Sequence, residues 1–187
     1  MKNVSGTTVA NRTLANLQAA YNGESNAHVR YLAFAIRADE DGYFRAGSLF
    51  RAAARAEQIH ADNHARVIGK MGATPEAVIE TPIIRSTREN LETAIEGEVY
   101  ERDIMYPEFI KIAEEEKNAS AMRTFEFALE AEAEHARLYT EALQNLEAMK
   151  QKTVFLVCSV CGYTTEKSEF DRCPVCHTPR ERFEKIS

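Results

Sequence analysis

Glu24, Glu57, His60, Glu98, Glu132 and His135 are the residues of this sequence whose types and spacing could do chemistry together. All but His135 fall on stripes spaced alternately three and four residues apart, the spacing that holds side chains on one face of a bundle helix. One stripe runs Leu14, Leu17, Tyr21, Glu24, His28, Tyr31, Ala35, Ala38, and a second runs Phe50, Ala53, Glu57, His60, His64, Val67, Met71. A third runs Leu91, Ala94, Glu98, Glu101, Met105, Phe109, Ile112, with one slip near Pro107, and a fourth runs Phe125, Leu129, Glu132, Ala136, Tyr139, Leu143, Leu146, with His135 beside Glu132. Burying an unpartnered carboxylate costs several kcal/mol, whereas a whole domain is stable by only about 5 to 15 kcal/mol. The stripes supply no Lys or Arg to neutralise their glutamates, only histidines, which are natural co-ligands of a metal. The middle of such a core requires bound cations.

The combination is specific. One Glu from each of two helices and Glu-x-x-His from each of the other two is the pattern of di-iron or di-manganese carboxylate sites in ferritin-like bundles. The i, i+3 spacing puts a carboxylate and an imidazole on the same face one turn apart, so one helix can bridge two metals and also bind one of them terminally. Glu57 follows Glu24 by 33 positions and Glu132 follows Glu98 by 34, which predicts two similar hairpins about a pseudo-twofold axis. The symmetry fails where Glu101 follows Glu98 by three while Ala27 follows Glu24. Glu101 is expected to act as a spare ligand, hard oxygen suiting Fe(III) and imidazole Fe(II); the alternative is a carboxylate on the solvent rim.

Cys158-Ser-Val-Cys161 and Cys173-Pro-Val-Cys176 form a second constellation, two knuckles that supply four thiolates to a closed tetrahedral metal site. Iron and zinc both accept such a set. A redox site in the bundle needs electrons, and an iron tetrathiolate carries one where zinc carries none, so the company the cysteines keep favours iron, with zinc possible in its place.

The elements that must position these groups can be read from the breaks. The pattern is helical from about Thr13 to Met149, interrupted near Asp41-Gly42, Met71-Gly72 and Lys117-Asn118, which gives four long helices. The stretch from Gly72 to Ser86, with Pro75 and Pro82, is too long for a tight turn and predicts a crossover along the bundle. Ser86 with Glu89 three residues on reads as a capped helix start, and Pro107 should kink its helix or force a local bulge. After Lys152 the composition turns to Val, Phe, Cys, Gly and Pro, which suits short strands and metal-gripping turns. The fold class expected is mainly α: a ferritin-like four-helix bundle with a crossover connection over residues 1–150, then a small β-rich metal module over 151–187.

The bulk figures set the limits. With 187 residues, 44% hydrophobic and 28% charged, the chain suits one main core plus an appendage. A net charge of -6 without a basic run argues against nucleic acid or an anionic membrane as partner. The segment Met1–Arg12 has no leader pattern and no stretch reaches transmembrane length, so a cytoplasmic location is expected, where paired cysteines ligate metal and do not form a disulfide framework.

The motifs Gly-Glu24-Ser-Asn-Ala, Glu57-Gln-Ile-His60, Gly-Glu98-Val-Tyr-Glu101, Met-Tyr106-Pro-Glu-Phe, Glu132-Ala-Glu-His135 and the two Cys-x-x-Cys pairs, in that order, resemble the rubrerythrin family from about residue 13 to the end. The resemblance implies an oxo-bridged di-iron site, a C-terminal rubredoxin-like domain and a hydrogen peroxide reductase that protects against oxidative stress. It further implies that Glu57 and Glu132 bridge the irons, that Glu24 and Glu98 bind one iron each, that His135 binds the second iron, and that Glu101 and His60 exchange on the first between oxidised and reduced states. Tyr31 and Tyr106 match tyrosines lying close to the cluster in that family. Cys173 follows Cys161 by only 12 positions, a shortened spacing that is usual in the family.

The mechanism then expected has two Fe(II) ions each giving one electron to peroxide, and the tetrathiolate iron returning electrons singly. No Gly-x-Gly-x-x-Gly is present, so electrons should come from a separate NAD(P)H-dependent reductase or a rubredoxin-like donor. A continuous helix from His135 to Lys150 would advance about 22 Å, which places a module attached there far from its own di-iron site and predicts a head-to-tail homodimer. His28 and His64 read as hydrogen-bonded or rim histidines, and His177 as a loop residue in solvent. A ferroxidase shares the bundle ligands but needs no internal electron carrier, and a non-catalytic metal sensor would hold zinc in its cysteines; the cysteine module argues against the first and the core glutamates against the second.

Overall fold

A computed structural model describes residues 11–187; the N-terminal segment without a leader pattern lies, up to Ala10, outside the described residues. Helix α1 spans Arg12–Glu40 and α2 spans Phe44–Lys70, joined through Gly42 at φ +80°, a left-handed position that glycine adopts without Cβ strain. The second hairpin is α3, Thr87–Tyr100, with α4, Tyr106–Glu115, turned back into α5, Ala119–Gln144. Caps fix three of the starts. Asn11 accepts from Leu14 N, Asn118 accepts from Ala121 N, and Ser86 with Glu89 closes a complete capping box.

The helix read as one from Ser86 onward is broken between α3 and α4 by a π turn at Glu101–Met105, just before Pro107. This is the local bulge that Pro107, having no N–H to give, was expected to force. It also carries the chain around one extra residue. Tyr31 follows Glu24 by seven positions and Tyr106 follows Glu98 by eight, and the wider turn absorbs the difference.

The connection from Gly72 to Arg85 is extended and runs parallel to α1. Gln18, Asn22 and Asn26, each one turn apart, bind the backbone of residues 74–80: Val78 N to Asn22 Oδ1 and Glu80 N to Asn26 Oδ1, both at 2.8 Å, and Glu76 N to Gln18 Oε1 at 3.2 Å. Four residues of helix rise about 6 Å and two extended residues advance about 6.6 Å, so the two periods match. This amide ladder holds the crossover although Val78, Ile79, Ile83 and Ile84 are exposed.

Two apolar clusters fill the bundle. One end packs Tyr31, Phe34, Phe50 and Tyr139, and the other packs Leu17, Tyr106, Phe109 and Phe125. Ala52, Ala53, Ala54 and Ala56 are fully buried on α2, which lets α2 lie close to its neighbours. The predicted metal ligands lie between the clusters.

After a short 3₁₀ turn at Leu146–Ala148 the chain forms a three-stranded antiparallel sheet, β2-β1-β3, with β1 at Phe155–Cys158, β2 at Thr164–Thr165 and β3 at Phe183–Ile186. This module lies back along α2. Arg45 pairs with Glu166 and Arg55 with Glu184, and the Arg51 guanidinium donates to the Ser187 carbonyl at 2.8 Å. Further along, Asn63 Nδ2 donates to the Val160 carbonyl at 2.9 Å. Phe155 and Val157 enter the bundle's own core. The expectation that the module stands far from its own bundle site is therefore corrected: helical advance carries the chain away from His135, but β1 runs back.

Candidate metal centres

Glu24, Glu57, Glu98 and Glu132 are wholly buried, as are His60 and His135 to within 1%. The structure brings Glu24, Glu57, His60 and Glu132 into one group and Glu57, Glu98, Glu132 and His135 into another, with one potential ligand atom from each residue within 4.8 Å of the others in its group. Glu57 and Glu132 belong to both. A carboxylate common to two cation sites is placed to span them, because its two oxygens can face different ions.

The polar atoms left over indicate what fits. Glu24 Oε2, Glu57 Oε1, Glu98 Oε2 and Glu132 Oε1 are buried and accept no hydrogen bond. The histidines make the same point. His60 Nε2 lies 3.0 Å from the Cys161 carbonyl, which can only accept, so Nε2 carries the hydrogen. His60 Nδ1 lies 2.9 Å from oxygens of both Glu57 and Glu132. His135 repeats the arrangement: Nε2 is 3.1 Å from Thr164 Oγ1, whose own proton goes to the Gly162 carbonyl, and Nδ1 is 2.8 Å from Glu132 Oε2. Two imidazoles whose outer nitrogens donate and whose inner nitrogens face carboxylates are protonated or face a metal.

Charge in this space is unbalanced without a cation. Burial and the neighbouring Glu57 push Glu24 up to about 8, and burial with Glu132 and Glu57 holds Glu98 well above the usual range. Burial would raise Glu57 too, but the neighbouring imidazoles of His135 and His60 outweigh it and hold it low. Two dications resolve the conflict, since they keep every carboxylate ionised.

Two tyrosines complete a pseudo-twofold pattern. Tyr31 of α1 donates to Glu98 Oε1 of α3 at 2.6 Å, and Tyr106 of α4 donates to Glu24 of α1. Each hairpin thus supplies a hydroxyl to the other's single glutamate. Glu101, at the start of the π turn, belongs to neither four-residue group. Its side is half-buried, and desolvation followed by Glu24, Glu132 and Glu98 raises its carboxyl well above the usual range. It faces the cluster without joining it. His64 is buried between the Thr124 hydroxyl, 3.1 Å from Nδ1, and the Tyr106 hydroxyl, 3.2 Å from Nε2. His28 Nδ1 donates to the Ala54 carbonyl at 2.7 Å, and His177 is exposed at φ +59°.

The four cysteines form the second centre. Sγ of Cys158 and Cys176, and of Cys161 and Cys173, lie 3.5 Å apart, and all four sulfurs lie within 4.8 Å of one another. Metal–sulfur bonds of about 2.3 Å in a tetrahedron need sulfurs about 3.8 Å apart, so the cage fits a single ion. Shared hydrogen bonds hold the Cys158 thiol low and push those of Cys161 and Cys173 up, as expected for sulfurs packed this closely.

Between the centres the approach is close. Gly162 lies at φ +78°, and a Cβ there would stand 2.3 Å from His60 Nε2. Only glycine admits this contact. Neither Gly162 nor Thr164 could be found from the sequence, because their partners, His60 and His135, lie 102 and 29 positions away in the chain.

The family model for rubrerythrin matches residues 15–143, and that for the rubrerythrin rubredoxin-like domain matches residues 157–184. The chain belongs to the rubrerythrin family. It is 37% identical to rubrerythrin-2 of Clostridium acetobutylicum, over 90% of this chain and 93% of that one, and 38% identical to nigerythrin of Nitratidesulfovibrio vulgaris, over 94% and 87%. The fully reduced, all-ferrous structure of nigerythrin superposes with a TM-score of 0.87, covering 99% of this chain and 91% of that one. A bacterioferritin from Desulfovibrio desulfuricans, 21% identical at a TM-score of 0.68, shares the fold of the bundle. As a member of the rubrerythrin family the chain has a ferritin-like di-iron site in the bundle and a rubredoxin-like four-cysteine iron site in the module, and the latter implies electron transfer.

Proposed function

We propose that this chain is a non-haem iron peroxidase that reduces hydrogen peroxide to two waters, consuming two electrons and two protons, in oxidative stress defence. The observation that carries the reading is the 3.0 Å contact between His60 Nε2 and the Cys161 carbonyl, which seats an electron-storing site directly against a di-iron one. A ferroxidase has no use for such a neighbour.

In this reading Glu57 and Glu132, common to both groups, would be shared by the two irons, Glu24 and Glu98 would each hold one, and His135 would hold the second. His60 would offer the first iron an imidazole in its reduced state and Glu101 a hard oxygen in its oxidised state. Cys158, Cys161, Cys173 and Cys176 hold the third iron. When bound, the two bundle irons supply one electron each to the peroxide. Tyr106 holds a proton against Glu24 and Tyr31 one against Glu98; burial, followed in both cases by the adjacent carboxylate, raises both hydroxyls well above their usual pKa, so each stays protonated and can donate where charge develops on oxygen. The apolar clusters on either side exclude water from the ligand groups between them.

The electrons come from a separate NAD(P)H-dependent reductase or rubredoxin-like donor, in the cytoplasm. Among the described residues no helix is long and apolar enough to cross a membrane. We place the division of the chain at residues 1–150 and 151–187. A homodimer would cover exposed Leu32, Ile36, Ile79, Ile83 and Ile84. It need not be head-to-tail to bring the two kinds of iron together, because one chain already does so.

The test is to load the chain with iron anaerobically, reduce it fully, and mix it with peroxide and separately with dioxygen. Three irons per chain, and reoxidation of both centres faster by peroxide than by dioxygen, would support the reading. A dioxygen reaction as fast as that of peroxide would return it to the ferroxidase class.

A further inference from the structure

Resting on the peroxidase reading, the surface through which electrons arrive can be located. A cavity of about 250 Å³ opens beside the cysteine module between α2 and the start of α5. Its rim carries Arg66, Lys70 and Arg123, all exposed, and its floor carries Phe127, Thr124 and Val160. Among the described residues no carboxylate lines it, in a chain whose net charge is -6. None of the three cations forms an ion pair with a described residue, whereas Arg45, Arg55 and Arg137 do.

The floor touches the metal cage. Val160 stands between Cys158 and Cys161, and Phe127 packs against the buried cysteines. Arg123 lies over the Phe127 ring, its guanidinium carbon 5.2 Å from the centroid. Asn63, also in the lining, donates to the Val160 carbonyl and accepts from Arg66, so the cationic rim is tied to the knuckle itself. An apolar floor over the cage with a rim of one sign suits a short-lived encounter with a carrier of opposite sign.

We propose that this cavity is the docking face for an acidic one-electron carrier protein. The carrier is oxidised by one electron and the four-cysteine site reduced by one, and two such passages supply the two electrons that one peroxide consumes. The competing entrance is the edge at Cys176, the one cysteine of the four that is only half-buried. The exposed residues of its loop and of the turn that follows alternate in sign, Asp171 with Arg172 and Arg180 with Glu181, which gives a partner no uniform sign to meet.

The experiment uses an acidic free-standing rubredoxin as probe. Its affinity for the zinc-loaded chain, which cannot take electrons, is measured beside its rate of reducing the iron-loaded chain. Reversing the rim with Arg66→Glu, Lys70→Glu and Arg123→Glu should lower both by roughly tenfold or more at low salt and flatten their salt dependence. Arg172→Glu with Arg180→Glu should change neither. Lys70→Glu alone, at an exposed helix end, should show part of the effect if the triple variant folds poorly. Loss of binding in the Arg172/Arg180 variant, or none in either, would overturn the proposal. Peroxide reoxidation of chemically reduced protein is read in parallel: if that step fails in the unaltered chain the peroxidase reading fails, whatever the docking result.

Discussion

At the residue scale the account rests on side chains that are stable only together. Tyr106 is the sharpest instance, since its hydroxyl touches both Glu24 and His64. Replacing it with Phe removes the proton held at Glu24 while leaving every proposed iron ligand in place. The expected result is full iron content with peroxide reoxidation slowed about a hundredfold, the usual range for a lost general acid, measured by rapid mixing. His64 gives a pH prediction. Burial, then the neighbouring His60, depresses it to about 3, against an ordinary value near 6.5. Between those limits the unfolded chain binds a proton that the folded chain refuses, so stability is intact above about 6.5 and is lost as pH falls toward about 3. Thermal unfolding of metal-depleted protein across that window should show the fall, and His64→Asn should flatten it; an unchanged slope would remove His64 as its cause.

Much of this site was legible in the residues. A carboxylate on a helix stripe announces itself, and Glu-x-x-His announces its partner one turn away. Tyr31 stood on the first stripe, but its place beside the cluster, like that of Tyr106, came only with the resemblance. Thr164 and Gly162 left no signal, because a hydroxyl beside His135 and a missing Cβ beside His60 are set by how a separate module lands, and periodicity within a segment carries no information about that.

At the scale of elements, capping and turn chemistry decided the boundaries, and these too were legible. Gly42, Gly72 and the Ser86–Glu89 box stand where the helices turn, end or begin. Removing the box with Ser86→Ala should lower stability by about 1 kcal/mol without changing the metal centres, measured by denaturant unfolding of the loaded protein. The one helix read across Pro107 became two helices with a π turn, because only a wider turn both tolerates the missing donor and brings Tyr106 back to the site. The amide ladder of Gln18, Asn22 and Asn26 escaped notice because polar residues four apart on a helix look like ordinary solvated surface.

At the scale of the molecule, the module and the bundle act as one object because α2 is the seat of both. Arg45, Arg51, Arg55, His60 and Asn63 meet the module in succession along a single helix. Helix length alone gave the wrong picture here, since it counted the outward path and not the strand's return. Gly162→Ala tests the seat, because its Cβ would displace either His60 or the knuckle. Each centre should keep its own spectrum while electron transfer between them slows.

The most direct measurement follows both centres after fully reduced protein is mixed with one equivalent of hydrogen peroxide, over a hundredfold range of protein concentration. The di-iron absorbance should appear first, the four-cysteine site should reoxidise behind it, and the second phase should keep the same rate at every dilution because the electron moves within one chain. A second phase that slows with dilution, or a four-cysteine site that stays reduced while the di-iron site is oxidised, would contradict electron transfer within one chain.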